Sequence, residues 1–341
     1  MTTTKKFAAA SSFFAVLLFS TTFGQDVTKV GTTAAKFLSI PIGPRAIALG
    51  NSYASIADEA TSLYWNPAGI TKIMGSDFHF SHTQWIAELR HTFTGVVVSD
   101  PDMGSFGISV IAMTMPEMEV TTEQFPEGTG EQFSANSYAF GLSYAKTLTE
   151  WFSIGITGKY VQEGIYNSKA TALAVDIGTL FTTPFYGIRL GVAISNFGNK
   201  MQMTGSDLLV QKDIDETQHG NNASIDAYLG TDKFDLPLNL RISLSGEVFK
   251  TEEQRLTFAV DASHPNDNVE SVSVGAEYSL FNDLISLRGG RHFLTDFEQK
   301  YAFGGGMKYP ISPSIIVRID YAYASMGRLQ NVQTYSLGIQ F

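Results

Sequence analysis

From about residue 77 onward, apolar and polar positions alternate with a period of two, in runs broken by turn residues. In 186–194, Tyr186, Ile188, Leu190, Val192 and Ile194 fall on one side, and Gly187, Arg189, Gly191 and Ala193 on the other. The run 314–323 sets Ile315, Val317, Ile319, Tyr321 and Tyr323 against Arg318, Asp320 and Ala322. Leu238, Leu240, Ile242 and Leu244 alternate with Asn239, Arg241, Ser243 and Ser245. Val272, Val274, Ala276, Tyr278 and Leu280 do so with Ser273, Gly275, Glu277 and Ser279. Successive side chains of a strand point to opposite faces, so each run reads as a strand with one apolar face. The pattern predicts fourteen strands, at 77–86, 90–98, 104–115, 133–146, 151–163, 168–181, 185–195, 238–249, 254–263, 269–280, 284–290, 299–308, 313–323 and 332–341.

A soluble sandwich shows the same alternation as a membrane barrel. Three features point to the barrel. The polar face is rich in Gly, Ser, Ala and Thr, where a soluble surface would carry Lys and Glu. Aromatic residues gather at segment ends, as in Tyr321/Tyr323 and Tyr138/Phe140/Tyr144, consistent with interfacial girdles. The chain ends in an alternating run, Tyr335 to Phe341, resembling the terminal signal of outer-membrane barrel assembly. Fourteen is an even number, as a closed antiparallel bacterial barrel requires. The connections also sort by parity. The even ones (99–103, 147–150, 182–184, 250–253, 281–283, 309–312) are all short, and the odd ones include 116–132, 196–237, 291–298 and 324–331. Short turns are expected on the periplasmic side together with both termini, and long loops outside. The expected fold is all-β: a fourteen-stranded antiparallel transmembrane barrel over 77–341, preceded by a short helical plug in its lumen at 25–76.

The first 24 residues read as a secretory signal peptide: Lys5 and Lys6, an apolar run from Phe7 to Phe19, and a small-residue exit ending at Gly24. The apolar run is shorter than the ~20 residues a helical span needs, and no later run approaches that length. The absence of cysteine excludes a disulfide scaffold, thiolate metal sites and a cysteine nucleophile. A net charge of −10 argues against a nucleic-acid partner.

Charged positions on the inward face are Lys159, Asp176, Arg189, Arg241, Glu247, Arg255, Asp261, Glu277, Arg288, Arg318 and Asp320. Their near-balance predicts mutual pairing rather than a charge-selective pore. His79 and Ser81 share an inward face, but strand two supplies no acid to orient a base, so no catalytic residues are assigned. The loop 196–237 carries seven acids against three lysines. A calcium site at Asp213 and Asp215 would lack the Gly and terminal Glu of a ligand loop, so no metal or cofactor is expected. A partner contact through Leu208, Leu209, Val210, Tyr228 and Phe234 fits this loop better.

Residues 25–75 lack the barrel rhythm. Short apolar runs with many small residues suggest brief, closely packed helices, and Asn66-Pro67 fits an N-cap followed by Pro at the first helical position. The stretch 36–70, KFLSIPIGPRAIALGNSYASIADEATSLYWNPAGI, resembles the N-terminal signature of the PorV/PorQ family, a branch of the FadL-like outer-membrane barrels. The matching residues are Arg45, Gly50, Asp58, Trp65, Asn66, Pro67, Ala68 and Gly69, with Glu59 where the FadL-like pattern has a second Asp. The resemblance implies an accessory protein of the type IX secretion system of Bacteroidota-like bacteria. Such a protein would bind the translocon barrel and the C-terminal signal domains of its cargo through extracellular loops, without enzymatic activity. The alternative it leaves open is a FadL-like transporter of hydrophobic small molecules.

Overall fold

In the computed structural model, residues 30–213, 217, 224–293, 301–329 and 331–341 are described. The leader at 1–24 and Asp215 lie outside them. Fourteen long strands follow one another: β1 Ser76–Gln84, β2 Arg90–Asp100, β3 Gly104–Thr114, β4 Ala135–Thr149, β5 Phe152–Ile165, β6 Ser168–Thr182 and β7 Arg189–Gly198. The second half comprises β8 Asn239–Lys250, β9 Gln254–Pro265, β10 Ser271–Leu280, β11 Ile285–Phe293, β12 Tyr301–Ser312, β13 Ile315–Ser325 and β14 Asn331–Gln340. Each pairs antiparallel with the next, and β1 pairs with β14, Asp77 opposite Gln340 and Gln84 opposite Gln333. This is the closed barrel expected from the alternation. Closure leaves no sheet edge, the condition for a strand-built protein to sit in lipid.

The two faces separate as the period-2 pattern requires. Phe80, Ile108, Leu142, Leu173, Leu244 and Leu287 are exposed on the outside, whereas His79, Ser81, Ser143, Thr157, Ser243 and Glu277 are buried within. Aromatic pairs lie across neighbouring strands on the outer face, with Phe106 and Tyr144 ring centroids 5.1 Å apart and those of Tyr321 and Tyr335 5.2 Å apart. Among the described residues no helix is long and apolar enough to cross a membrane.

Strand seven departs from expectation at both ends. It begins at Arg189, not 185, because Tyr186 and Gly187 both take left-handed φ angles (53° and 62°) and turn the chain back on itself. Tyr186 and Ile188 therefore belong to a turn in which Thr183 donates its backbone N–H to Ile188 O. At the other end, the β6–β7 register slips so that Ser195 and Asn196 stand opposite Asp176. This is a β-bulge. Asn196 adopts φ 64°, a conformation Asn tolerates, and its freed N–H bonds to Asp176 Oδ1 at 2.7 Å.

The chain ahead of β1 runs the length of the ring's interior. It contains a 3-10 turn at Lys36–Ser39, helix α1 at Pro44–Ala48, helix α2 at Ser62–Trp65 and a second 3-10 turn at Pro67–Lys72. Its first described residues are tied to the long-loop end. Ala34 N donates to Asp235 O, Ala35 N to Glu163 Oε2, and both Thr33 and Lys36 reach the Asp267 carboxylate. Its last residues lie at the short-turn end, where Ser76 and Phe341 exchange backbone hydrogen bonds. The described part of the segment enters at the long-loop mouth and reaches the short-turn mouth, so it traverses the lumen before the first strand begins.

Candidate functional site: the filled lumen and its two mouths

Asn66 shows how the segment is held against the wall. Its side-chain oxygen caps the following turn by accepting from Ala68 N (3.1 Å), while its Nδ2 donates to Ala54 O (2.9 Å) and Thr179 O of β6 (3.0 Å). Pro67 occupies the first position of the turn, where its missing N–H costs nothing. This approach requires bare backbone opposite: a Cβ at Gly178 would collide with Asn66 Oδ1, and one at Gly155 with Pro67. The inward glycines of the wall are thereby explained by what they face. Ala68 is fully buried, and Gly69 lies so near Ala57 O that no side chain fits. Gly50 takes φ 63° and lies against the backbone of Gly290 and Arg291.

Trp65 is the segment's largest buried side chain. Its Nε1 donates to Ile42 O (2.8 Å), Tyr53 and Tyr64 meet it edge-on, and the Arg241 guanidinium lies 4.4 Å over its ring. Arg241 forms no ion pair among the described residues, and its charge is met by the Trp65 and Tyr64 faces.

The other inward arginines pair, but not only with the wall. Arg45 reaches Glu277 of β10 (2.8 Å) and Asp58 of its own segment (2.5 Å). Glu277 also receives Arg288 (2.7 Å) and Arg255 (3.4 Å), and Arg288 continues to Asp320. Arg318 bonds to Asp77 on β1 and lies 3.6 Å from Glu59. The expected balance within the wall is therefore incomplete: Arg45, Asp58 and Glu59 interleave with it and finish the network. Burial disfavours an ionised Glu59, but Arg318 and Arg45 outweigh that and hold its carboxyl well below the usual range, at about 2. Lys159 and Asp176 form a separate pair (2.7 Å) beside the Asn196 bulge. Asp261 instead accepts from Ala54 N.

Two cavities flank the segment. At the long-loop end, about 370 Å³ is enclosed by Phe37, Leu38, Ile40, Trp85, Leu89, Met113 and Met326, with Arg241, Asn51, Ser273 and His292 as the polar side. His292 lies between Ser273 Oγ and the Asn51 amide at 2.9 Å each. At the short-turn end, about 420 Å³ opens among the charged network.

The described residues of the 196–237 connection contain short paired strands. Met201–Gln202 pairs with Lys233–Phe234, Thr204–Gly205 extends along Ser168 and Lys169 of β6, and Leu209–Lys212 pairs antiparallel with Ile225–Tyr228 as the two arms of a hairpin. Asp207 clamps its root to Asn167 N (2.9 Å) and Ser168 Oγ (3.1 Å). Met201 and Leu236 at the base are buried against the N-terminal segment. Leu209, Tyr228 and Phe234 are exposed, while Leu208 and Val210 are half-buried. His79 is buried with neither ring nitrogen hydrogen-bonded, so it lacks the orienting partner that nucleophilic chemistry needs. Among the described residues no three acids or histidines converge as for a metal.

The inward reading of the strands missed Asp77, Glu163 and Asp267. Asp77 was recoverable, because Phe78 faces outward and places its neighbour within. Glu163 was recoverable too, because it shares the face of Lys159 on the same strand, whereas Asp267 lies beyond the predicted strands and carries no local signal.

A closed ring of fourteen antiparallel strands with an N-terminal segment bound along its inside has the architecture of the FadL-like outer-membrane barrels. The solved structures agree. The toluene transporter TbuX of Ralstonia pickettii superposes with a TM-score of 0.54 at 12% identity, covering 87% of this chain and 97% of that one. The Pseudomonas putida toluene transporter TodX gives 0.56 at 11% identity, covering 87% and 96%. A FadL homologue of Pseudomonas aeruginosa gives 0.52 at 11% identity, covering 89% and 98%. Likeness at this identity shows the fold alone. No curated protein sequence matches the chain. The family described as "Type IX secretion system protein PorV" matches residues 23–232, which take in the N-terminal segment, strands β1 to β7 and most of the hairpin connection. The chain belongs to the PorV family, as an outer-membrane barrel of the type IX secretion system.

Proposed function

We propose that the protein acts by docking: the barrel anchors it, the segment 33–73 serves as a plug, and the long-loop end presents a surface to the translocon and to cargo signal domains. The observation that carries this reading is the hairpin Leu209–Lys212/Ile225–Tyr228. It is rooted on the barrel through Asp207 while Leu209, Ile225, Tyr228 and Leu229 remain exposed at its strands and edge. Ordered, exposed aromatic and aliphatic side chains are what protein contacts are made from. The acidic residues around them make wrong partners of like charge costly. In this orientation the short turns and Phe341 face the periplasm, the hairpin faces outward, and no catalytic step is required. Deleting 205–232 should leave a folded, heat-modifiable barrel in the membrane and abolish co-purification of the translocon barrel and cargo. Unchanged recovery of both would overturn the reading.

A second reading, transport of an apolar small molecule, is favoured by one feature, the mainly apolar cavity at the long-loop end. Co-purified lipid-soluble ligand in the absence of protein partners would support it over docking.

A further inference from the structure

The charges around the short-turn cavity are unevenly shared. Arg45, Arg255, Arg288 and Arg318 meet six carboxylates, those of Asp58, Glu59, Asp77, Glu277, Asp283 and Asp320. The remaining cations lining the cavity are Lys72, Arg189, Lys250 and Lys308, and Glu247 is the one carboxylate paired with any of them. Arg189 and Lys250 share it from opposite oxygens, at 3.6 and 3.5 Å, both longer than a good charge-assisted hydrogen bond. The side-chain ammonium groups of Lys72 and Lys308 have no hydrogen bond or ion pair among the described residues. Summed over both groups the cavity is close to neutral, with an excess of carboxylates in the first group and of cations in the second.

A like-charge cluster around an enclosed space is unfavourable unless an anion enters it. Protein around Lys72 already disfavours its ammonium form, and Arg189 nearby adds repulsion. The cations come from separate elements, Lys72 from the last turn of the N-terminal segment, Arg189 from β7, Lys250 from β8 and Lys308 from β12, so no one strand's pattern accounts for them. The guanidinium offers a planar fork, and lysines add point charges around it, a donor set suited to a tetrahedral oxyanion. We infer that the short-turn cavity is a binding site for a phosphate-class oxyanion, held by Lys72, Arg189, Lys250 and Lys308 and kept from the deeper carboxylates by their own arginines. The site lies at the opposite end from the hairpin, so it stands or falls apart from the docking reading.

The ligand could be a soluble phosphate or the phosphate of a lipid headgroup at the barrel rim, and the chemistry is the same. Calorimetric titration of pyrophosphate into the purified full chain in zwitterionic detergent should show saturable binding. The Lys72→Gln/Lys308→Gln variant should bind about tenfold or more weakly. Neither substitution breaks an ion pair, so heat-modifiable gel mobility should stay unchanged, and Lys212→Gln on the hairpin should bind as the parent does. In phosphatidylglycerol nanodiscs, weakened pyrophosphate binding relative to phosphatidylcholine nanodiscs would identify the headgroup as the source. Equal binding in both would identify a soluble phosphate. No saturable heat, or equal affinity in the double variant, overturns the inference.

Discussion

The two ends of the lumen solve the same packing problem with different chemistry. At the long-loop end, aliphatic and aromatic side chains surround a space whose one cation without an ion pair among the described residues, Arg241, is covered by rings. At the short-turn end, ionised groups on segment and wall interleave through Arg45, Glu59, Glu277 and Arg318. Apolar packing is non-directional and tolerates a gap. A buried ionic network needs each member in place, since removing one strands the rest. The short-turn end should therefore behave as the rigid fastening of the segment, and the long-loop end as the more adaptable one.

The harshest test is Glu277→Ala, which leaves Arg45, Arg255 and Arg288 around a missing carboxylate. It should lower stability by about 3–5 kcal/mol, read from urea unfolding in lipid vesicles. A midpoint equal to the parent's would mean that the network does not fasten the segment. Acid should act at the same end. Glu59 is held below its ordinary value of 4.5 in the folded protein, so its stabilisation is full above that pH and is lost as pH falls toward about 2. Unfolding midpoints should drop across this window, and Glu59→Gln should flatten that dependence. Where the segment meets β6, Asn66→Ala removes three hydrogen bonds and leaves Ala54 O and Thr179 O without their donor. About 1–3 kcal/mol should be lost, with the cap accounting for about 1 of it, and the barrel itself should persist.

Much of the ring was legible along the chain. Alternation at Leu238–Ser245 and Ile315–Tyr323 marked strands whose faces the structure places as expected, and Asn66-Pro67 announced a capped turn that is present. Strand seven shows where such reading stops. Tyr186 continues the alternation but sits in a turn, and the Asn196 bulge interrupts β7 without any break in composition. Inside the lumen, the inward directions of Arg318 and Asp77 were visible from their neighbours, whereas the pairing of Arg318 with Asp77 and Glu59 was not.

By itself, the order of residues determined the strands, their inner and outer faces and their even number, because side-chain direction along a strand depends on nothing beyond the next residue. Only the tertiary structure decided that the N-terminal segment threads from one mouth to the other, that its Arg45 meets Glu277 some 232 positions away, and that Leu209–Lys212 pairs with Ile225–Tyr228 within the 196–237 connection. Those contacts join groups that the chain separates widely. Their geometry comes into existence once β1 closes on β14, and no local pattern of side chains encodes it.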